Sequence, residues 1–251
     1  MTSKVALVTG GSRGLGRSIS TALAASGVGV ILTYRTGENE AQAAVDEITK
    51  MGGKAAKLYL DVTQFDDYGK FVADVRATLS SVFGQSHLDY LVNNAGIGAY
   101  SAFADTSVET FDELFSVNVK APFFLTRALL DTLADYSRVL NVSTAVVRAV
   151  VPGLSAYAAS KGAVEVLTRY LAVELAERQI RVNTLVGGAI DTGFGHGMML
   201  TEEVQAMARQ QIALGRIGHP EDMAAAVPAI LSDAFAWATG SIIELSGGQD
   251  L

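Results

Sequence analysis

Short, nearly unbroken apolar runs alternate with helix-length segments along the whole chain, and this alternation restricts the fold more than any single motif. Runs at 5–8, 28–32, 55–60, 88–92, 139–142, 181–185 and 241–244 read as strands. Periodic stretches at 14–25, 39–51, 64–82, 107–131, 155–178 and 220–232 read as the helices between them. A strand that is apolar on both sides needs cover on both faces, which helical crossovers between parallel strands supply. The expectation is one doubly wound, Rossmann-type α/β domain over 1–251, with seven mostly parallel strands and helices on both faces. No second core, proline-rich linker or internal repeat interrupts it.

Composition narrows the function. Hydrophobic residues make up 49% of the chain and charged ones 18%, yet no apolar run approaches the ~20 residues that span a bilayer. Buried strands and a large subunit interface are the expected sink for that surface. There is no cysteine, so disulfide and thiolate chemistry are excluded. His87, His196 and His219 lack ligand spacing, so no metal site is expected. A net charge of -7 argues against nucleic-acid binding. Met1-Thr2-Ser3-Lys4 lacks the features of a secretory signal, and the expected location is cytoplasmic.

The first strand runs into Thr9-Gly10-Gly11-Ser12-Arg13-Gly14-Leu15-Gly16, and a helical pattern follows at once. Glycines allow a tight turn and close approach to a pyrophosphate, and a helix amino terminus offers N–H groups and a favourable dipole. The segment therefore predicts a dinucleotide site. The second strand ends in Tyr34-Arg35-Thr36, with no acid placed for a ribose 2′-hydroxyl. Arg35 and Arg13 favour the 2′-phosphate of NADP(H); Glu38 is close enough to leave NAD(H) open.

One segment breaks the rhythm. Residues 188–218 carry Gly193, Gly195 and Gly197, then Met198-Met199-Leu200 and a short helical pattern at about 201–213. This reads as a substrate lid.

Downstream of the nucleotide loop, Tyr157 and Lys161 stand four positions apart, one turn apart on one helix face. A free phenol ionises near pH ~10. A neighbouring ammonium favours the phenolate and eases proton exchange with a carbonyl or alcohol.

With these residues assembled, the chain resembles the short-chain dehydrogenase/reductase family in its single-domain form. The motifs stand in the family's order: Thr9–Gly16 (9–16), Asp61-Val62, Asn93-Asn94-Ala95-Gly96, Asn118, then Tyr157 and Lys161. The run 215–222 also resembles the 3-oxoacyl-[acyl-carrier-protein] reductase branch. The resemblance implies that Asp61 and Val62 hold the adenine ring, and that Asn94, Ala95 and Gly96 line the adenine ribose while Asn93 stabilises the sheet. It implies that Tyr157 donates a proton to the carbonyl oxygen as hydride arrives. Lys161 would bond the nicotinamide ribose and lower the tyrosine pKa, and Asn118 would hold a water. Family members are commonly tetramers, which implies a homotetramer here.

Two departures stand out. The family's substrate-orienting serine lies 13 positions before the tyrosine, and here that position is Thr144, preceded by Ser143. Neighbours on a strand point to opposite faces, so both cannot serve equally; Thr144 is favoured. The family's Pro-Gly after the sixth strand is replaced by Val186-Gly187-Gly188-Ala189-Ile190-Asp191-Thr192. Ile190 and Thr192 match positions that hold the nicotinamide carboxamide, with Gly187 and Gly188 beside them. The missing proline is expected to loosen the lid root.

The function expected is reversible NADP(H)-dependent reduction of a ketone or 3-oxo group to a secondary alcohol. Tyr100, Phe103, Val146, Val147, Ala189 and 198–200 are candidate apolar walls, and Arg148 is available to a charged carrier. The alternative is a non-catalytic NADP(H)-binding redox sensor, which would have no need of Asn118, Tyr157 and Lys161. An enoyl reductase is disfavoured because those relatives space the tyrosine and lysine further apart.

Overall fold

The computed structural model describes residues 4–193 and 201–251. Seven strands form one parallel sheet: β1 (Val5–Val8), β2 (Gly29–Tyr34), β3 (Ala55–Tyr59), β4 (Leu88–Asn93), β5 (Leu133–Thr144), β6 (Arg181–Gly187) and β7 (Ile242–Leu245). Their spatial order is β3-β2-β1-β4-β5-β6-β7. The chain winds outward through β2 and β3, then returns to place β4 on the other side of β1. That reversal opens a crevice beyond the carboxyl ends of β1 and β4, where α/β sheets of this kind receive ligands.

Alternation along β1 shows why both faces must be covered. Val5 and Leu7 enter one core with α3 (Tyr68–Thr78), α5 (Ala121–Leu129) and α6 (Ser155–Glu174). Ala6 and Val8 enter the other, with α1 (Gly14–Ala25) and α2 (Glu38–Lys50). All four β1 side chains are fully buried.

The helices depart from the expected stretches where local chemistry intervenes. The segment expected as one helix at 107–131 is α4 (Val108–Phe115), a π-helical turn over Ser116–Lys120, and α5. The segment at 220–232 is α8 (Pro220–Ala224) and α9 (Val227–Ile230), with α7 (Glu202–Gln211) preceding them. Pro228 has no N–H to give and its ring would meet the carbonyl of Ala224, so the helix breaks between them. Strand β5 begins earlier than expected because its pairing with β4 shifts register between Leu88 and Tyr90. Tyr136, at φ 63°, lies in that stretch.

A polar chain crosses the sheet interior just beneath the crevice. Asn93, Asn141 and Thr184 are lateral neighbours on β4, β5 and β6. Asn93 Nδ2 donates to Asn141 Oδ1 (2.8 Å), and Asn141 Nδ2 donates to Thr168 Oγ1 on α6 (2.9 Å). Thr184 Oγ1 donates to the same Thr168 oxygen (2.8 Å). A one-residue slip would strand buried polar groups, so the chain locks register in the strands that carry the site.

Candidate active site

The glycine loop is strapped to β4 by side chains. Thr9 Oγ1 accepts from the amides of Asn94 (3.0 Å) and Ala95 (2.9 Å). Asn94 Nδ2 donates back to the carbonyls of Thr9 (2.9 Å) and Gly10 (3.2 Å). The Gly10 amide donates to Thr33 Oγ1 on β2 (3.1 Å). A Cβ on Gly16 would lie 2.1 Å from the Gly10 carbonyl oxygen, so only glycine lets α1 start this close to the turn. Gly10 and Gly14 take φ of +62° and +51°. Gly11 and Ser12 are buried under the loop, and Leu15 is half-buried. No side chain caps the start of α1. First-turn amides of a helix are the donors expected of a phosphate cradle, and a dinucleotide pyrophosphate fits that donor set.

Around β2, Arg13 and Arg35 are exposed, and neither guanidinium has a partner among the described residues. The other arginines here are mostly spoken for, such as Arg17 with Glu47 and Arg216 with Asp222. Glu38 is engaged: it accepts from Lys57 Nζ (2.7 Å) and hydrogen-bonds the Tyr34 hydroxyl. The lysine holds its carboxyl below the usual range. Lys57 also lies 5.6 Å from the Tyr34 ring centroid. Sequence reasoning missed Lys57, which becomes visible only once β3 pairs with β2 and sets Leu32 opposite Lys57. Thr36 follows in the exposed turn. Asp61 Oδ1 accepts from Thr63 N (2.9 Å) and Thr63 Oγ1 (2.7 Å), and this turn presents Val62, whose carbonyl takes the Tyr68 hydroxyl.

Asn118 sits inside the π-helical turn and is 2% exposed. The inserted residue rotates it off the helix face. Its Oδ1 accepts from Ile97 N (3.0 Å), and its Nδ2 donates to Ile97 O (2.9 Å) and Ser160 Oγ (3.0 Å). Ser160 Oγ donates in turn to Tyr157 O (2.7 Å). The Asn118 side chain thus ties the loop after β4 to α6. Ser160 went unnoticed in the sequence because a helical serine carries no signal of its own.

Tyr157 and Lys161 are both buried, at 8% and 5% exposure. Tyr157 hydrogen-bonds the side chain of Thr144 at the end of β5. Burial pushes the phenol up and the Thr144 bond pulls against it. Lys161 is lowered to about 8 by burial and donates to the Val142 carbonyl (2.9 Å). Desolvation sets the direction of the phenol's shift, and Lys161 gives one of its three N–H donors to β5. A Cβ on Gly96 would lie 3.2 Å from Lys161 Nζ and 3.1 Å from Asn118 Oδ1, so the backbone of the loop after β4 closes directly over both.

Ser143 points the other way. Its hydroxyl donates to Glu165 Oε1 (2.7 Å), and burial raises the pKa of that carboxyl. Ser143 is the partner of Glu165 in this structure, and Thr144 the partner of Tyr157. Glu165, one turn past Lys161, was not foreseen.

At the end of β6, Gly187 and the following Gly188 are packed without room for a side chain, against Met223 and Ser246 respectively. Thr192 lies against Gly14, at the mouth of the nucleotide loop. The stretch expected to be loose is hydrogen-bonded at its root. Ala189 N donates to Gln249 Oε1 (2.8 Å), Asp191 N to Gly218 O (3.0 Å), and Ile190 bridges Gly218.

Of the candidate walls, Val146 packs against Tyr157 with Leu154 and Ile97. Val147 and Ala189 are half-buried, and Tyr100 and Phe103 are exposed. The 198–200 segment lies outside the described residues. Arg148, the candidate for a charged carrier, pairs with Glu244 and donates to the carbonyls of Gln249 (2.6 Å) and Asp250 (3.1 Å). No helix among the described residues is long and apolar enough to cross a membrane.

Residues 10–250 match the family model described as enoyl-(acyl carrier protein) reductase. An uncharacterized oxidoreductase of Methylorubrum extorquens is 35% identical, covering 98% of this chain and 97% of its own. A versicolorin reductase of Emericella nidulans is 34% identical, covering 98% and 95%. The crystal structure of an angucycline C-6 ketoreductase with bound NADP superposes with a TM-score of 0.94 at 34% identity, covering 98% and 95%.

Proposed function

Because the chain belongs to the short-chain dehydrogenase/reductase family and is an NAD(P)H-dependent oxidoreductase, we propose that it reduces the ketone of an apolar, fused-ring substrate with NADPH. The observation that carries the reading is the hydrogen bond between buried Tyr157 and half-buried Thr144 at the carboxyl end of β5, with Lys161 one helical turn along from the phenol. The fused-ring class rests on the substrates named for the versicolorin and angucycline reductases and on the apolar surroundings of Tyr157. Arg13 and Arg35, unpaired beside the nucleotide loop, support NADP(H) over NAD(H), with Glu38 already neutralised by Lys57.

The bound nicotinamide supplies the hydride. The rest is the work of this chain. The uncapped start of α1 would receive the pyrophosphate, and Arg35 and Arg13 the 2′-phosphate. Thr144 orients the carbonyl oxygen toward the phenol. Tyr157, kept protonated by burial, donates its proton to that oxygen and takes it back in the oxidative direction. Lys161 holds positive charge beneath the phenol, stabilising the tyrosinate that forms. The four-residue Tyr157–Lys161 spacing supports a ketone rather than an enoyl substrate.

Assembly follows from surface that the fold leaves uncovered. Phe111 and Phe123 on α4 and α5, and Tyr170 and Val173 on α6, are exposed. These outer faces support a homotetramer, which sedimentation would test. The activity itself is tested by NADPH consumption over a panel of fused-ring and open-chain ketones; no turnover with any of them would defeat the reading.

A further inference from the structure

Resting on that reading, we propose that Arg148 and Gln249 are positioning residues, forming a clamp that fixes the Thr144 turn of β5 relative to the exit of β6. The two ends of the site come from different strands, and nothing in the sheet ladder itself sets the loops beyond it. Thr144 begins a tight turn in which the amides of Arg148 (3.0 Å) and Ala149 (2.8 Å) return to the Ala145 carbonyl. Whatever holds Arg148 therefore holds the Thr144 hydroxyl.

Arg148 is held by four acceptors. Nε donates to Glu244 Oε2 on β7 (2.9 Å), and Nη2 reaches the other carboxylate oxygen. Nη2 also donates to Gln249 O and Nη1 to Asp250 O. A guanidinium has five N–H donors in a fixed plane, so this arrangement sets its position and orientation together. Exposed ion pairs contribute little to stability. The worth of this one lies in geometry.

Gln249 carries the restraint onward. It is 6% exposed, and its Oε1 takes the amide of Ala189, in the loop that leads to Ile190 and Thr192. A Cβ on Gly188 would lie 2.8 Å from Ser246 Cα and 2.9 Å from Gln249 Oε1, so the 246–250 segment seats directly on the β6 exit. The same segment pairs with the residues after α7. Leu214 N donates to Gly247 O (3.0 Å), and Asp250 N donates to Gln211 O (2.8 Å). Three parts of the site perimeter thus share one brace, which reaches neither Tyr157 nor Lys161.

The test uses the full chain with Arg148→Ala, Arg148→Lys and Gln249→Ala, 1-tetralone as ketone, and four readouts. We expect kcat to fall between about 10- and 100-fold, the cost of a sub-ångström to ångström misplacement. NADPH affinity by nicotinamide fluorescence should stay within about threefold, because the clamp sits apart from the pyrophosphate and 2′-phosphate groups. The enantiomer ratio of the 1-tetralol should erode, and Arg148→Lys should not restore it, since an ammonium lacks the planar fork. The Ala189 amide should exchange faster with deuterium in all three variants. Wild-type kcat and enantiomer ratio in the variants, with only thermal stability changed, would overturn the clamp. If wild type fails to reduce any ketone, the functional reading falls by itself; unchanged Ala189 exchange in Arg148→Ala would then sink the clamp separately.

Discussion

Thr144 and Tyr157 are hydrogen-bonded through their side chains, while Ser143, the immediate neighbour of Thr144, turns its hydroxyl into the core against Glu165. Successive side chains leave a strand in different directions, so the two adjacent hydroxyls meet different residues of α6. Thr144→Val should lower kcat for ketone reduction by about 10²-fold, the scale of a lost oxyanion donor. Thr144→Ser should recover most of it. Steady-state turnover checks this, and a near-silent Thr144→Val would reverse the assignment.

Tyr157→Phe keeps the ring in its packing with Leu114 and Leu154 and removes only the hydroxyl that carries the proton. Turnover should drop by about 10³-fold, within the range of general acid–base catalysis. NADPH affinity by fluorescence titration should remain near wild type. Substantial activity in the variant would exclude Tyr157 as the acid.

Burial lowers Lys161 to about 8 and pushes Tyr157 upward, so the phenol stays protonated across neutral pH and Lys161 titrates first. The profile of kcat/KM for NADPH reports the enzyme before nucleotide binds. It should fall through one ionisation near 8, and Lys161→Arg should remove that limb. Stability carries the same signature. Folded Lys161 releases its proton near 8, whereas the unfolded chain holds it to about 10.5. Between those values the unfolded state binds more protons, so this group's contribution to stability rises with pH. Urea midpoints of wild type and Lys161→Met should diverge across that window, the wild type gaining; parallel curves would contradict it.

Arg35→Ala should raise the KM for NADPH by about 10- to 100-fold, the equivalent of losing a charge-assisted hydrogen bond of ~1.5–3 kcal/mol. The KM for NADH should hardly move, because no 2′-phosphate is present to miss the guanidinium. Arg13→Ala should act the same way and more weakly. Equal constants for the two nucleotides in wild type would refute the proposed preference.

Gly16→Ala places a Cβ 2.1 Å from the Gly10 carbonyl oxygen and 2.5 Å from Asn94 Nδ2. The loop or the first turn of α1 must move. NADPH binding should be lost, and the urea midpoint lowered, while Gly162→Ala, which meets nothing nearer than a Val147 methyl at 3.7 Å, should leave binding intact. Calorimetric titration with NADPH distinguishes them.

Much of this protein was legible from residue order alone. Apolar runs on both sides of short strands demand two covering layers, and that requirement by itself gives the doubly wound sheet. The positions of Gly10, Gly16, Tyr157 and Lys161 could be read because local geometry, a tight turn or one helical turn, constrains them within a few residues. What local spacing does not encode was decided by packing. Asn118 left its helix face through a π-helical turn, Lys57 met Glu38 across paired strands, and Arg148 was taken by Glu244 and the 246–250 segment. The division between Thr144 and Ser143 was posed by strand alternation, yet only the placement of α6 along β5, which brings Tyr157 to Thr144 and Glu165, two turns further on, to Ser143, gave each hydroxyl its partner. Spacing sets which groups lie near one another along the backbone, and burial then sets which proton each can hold. The lysine's low pKa and the tyrosine's high one belong to that second kind, because desolvation is a property of the folded interior.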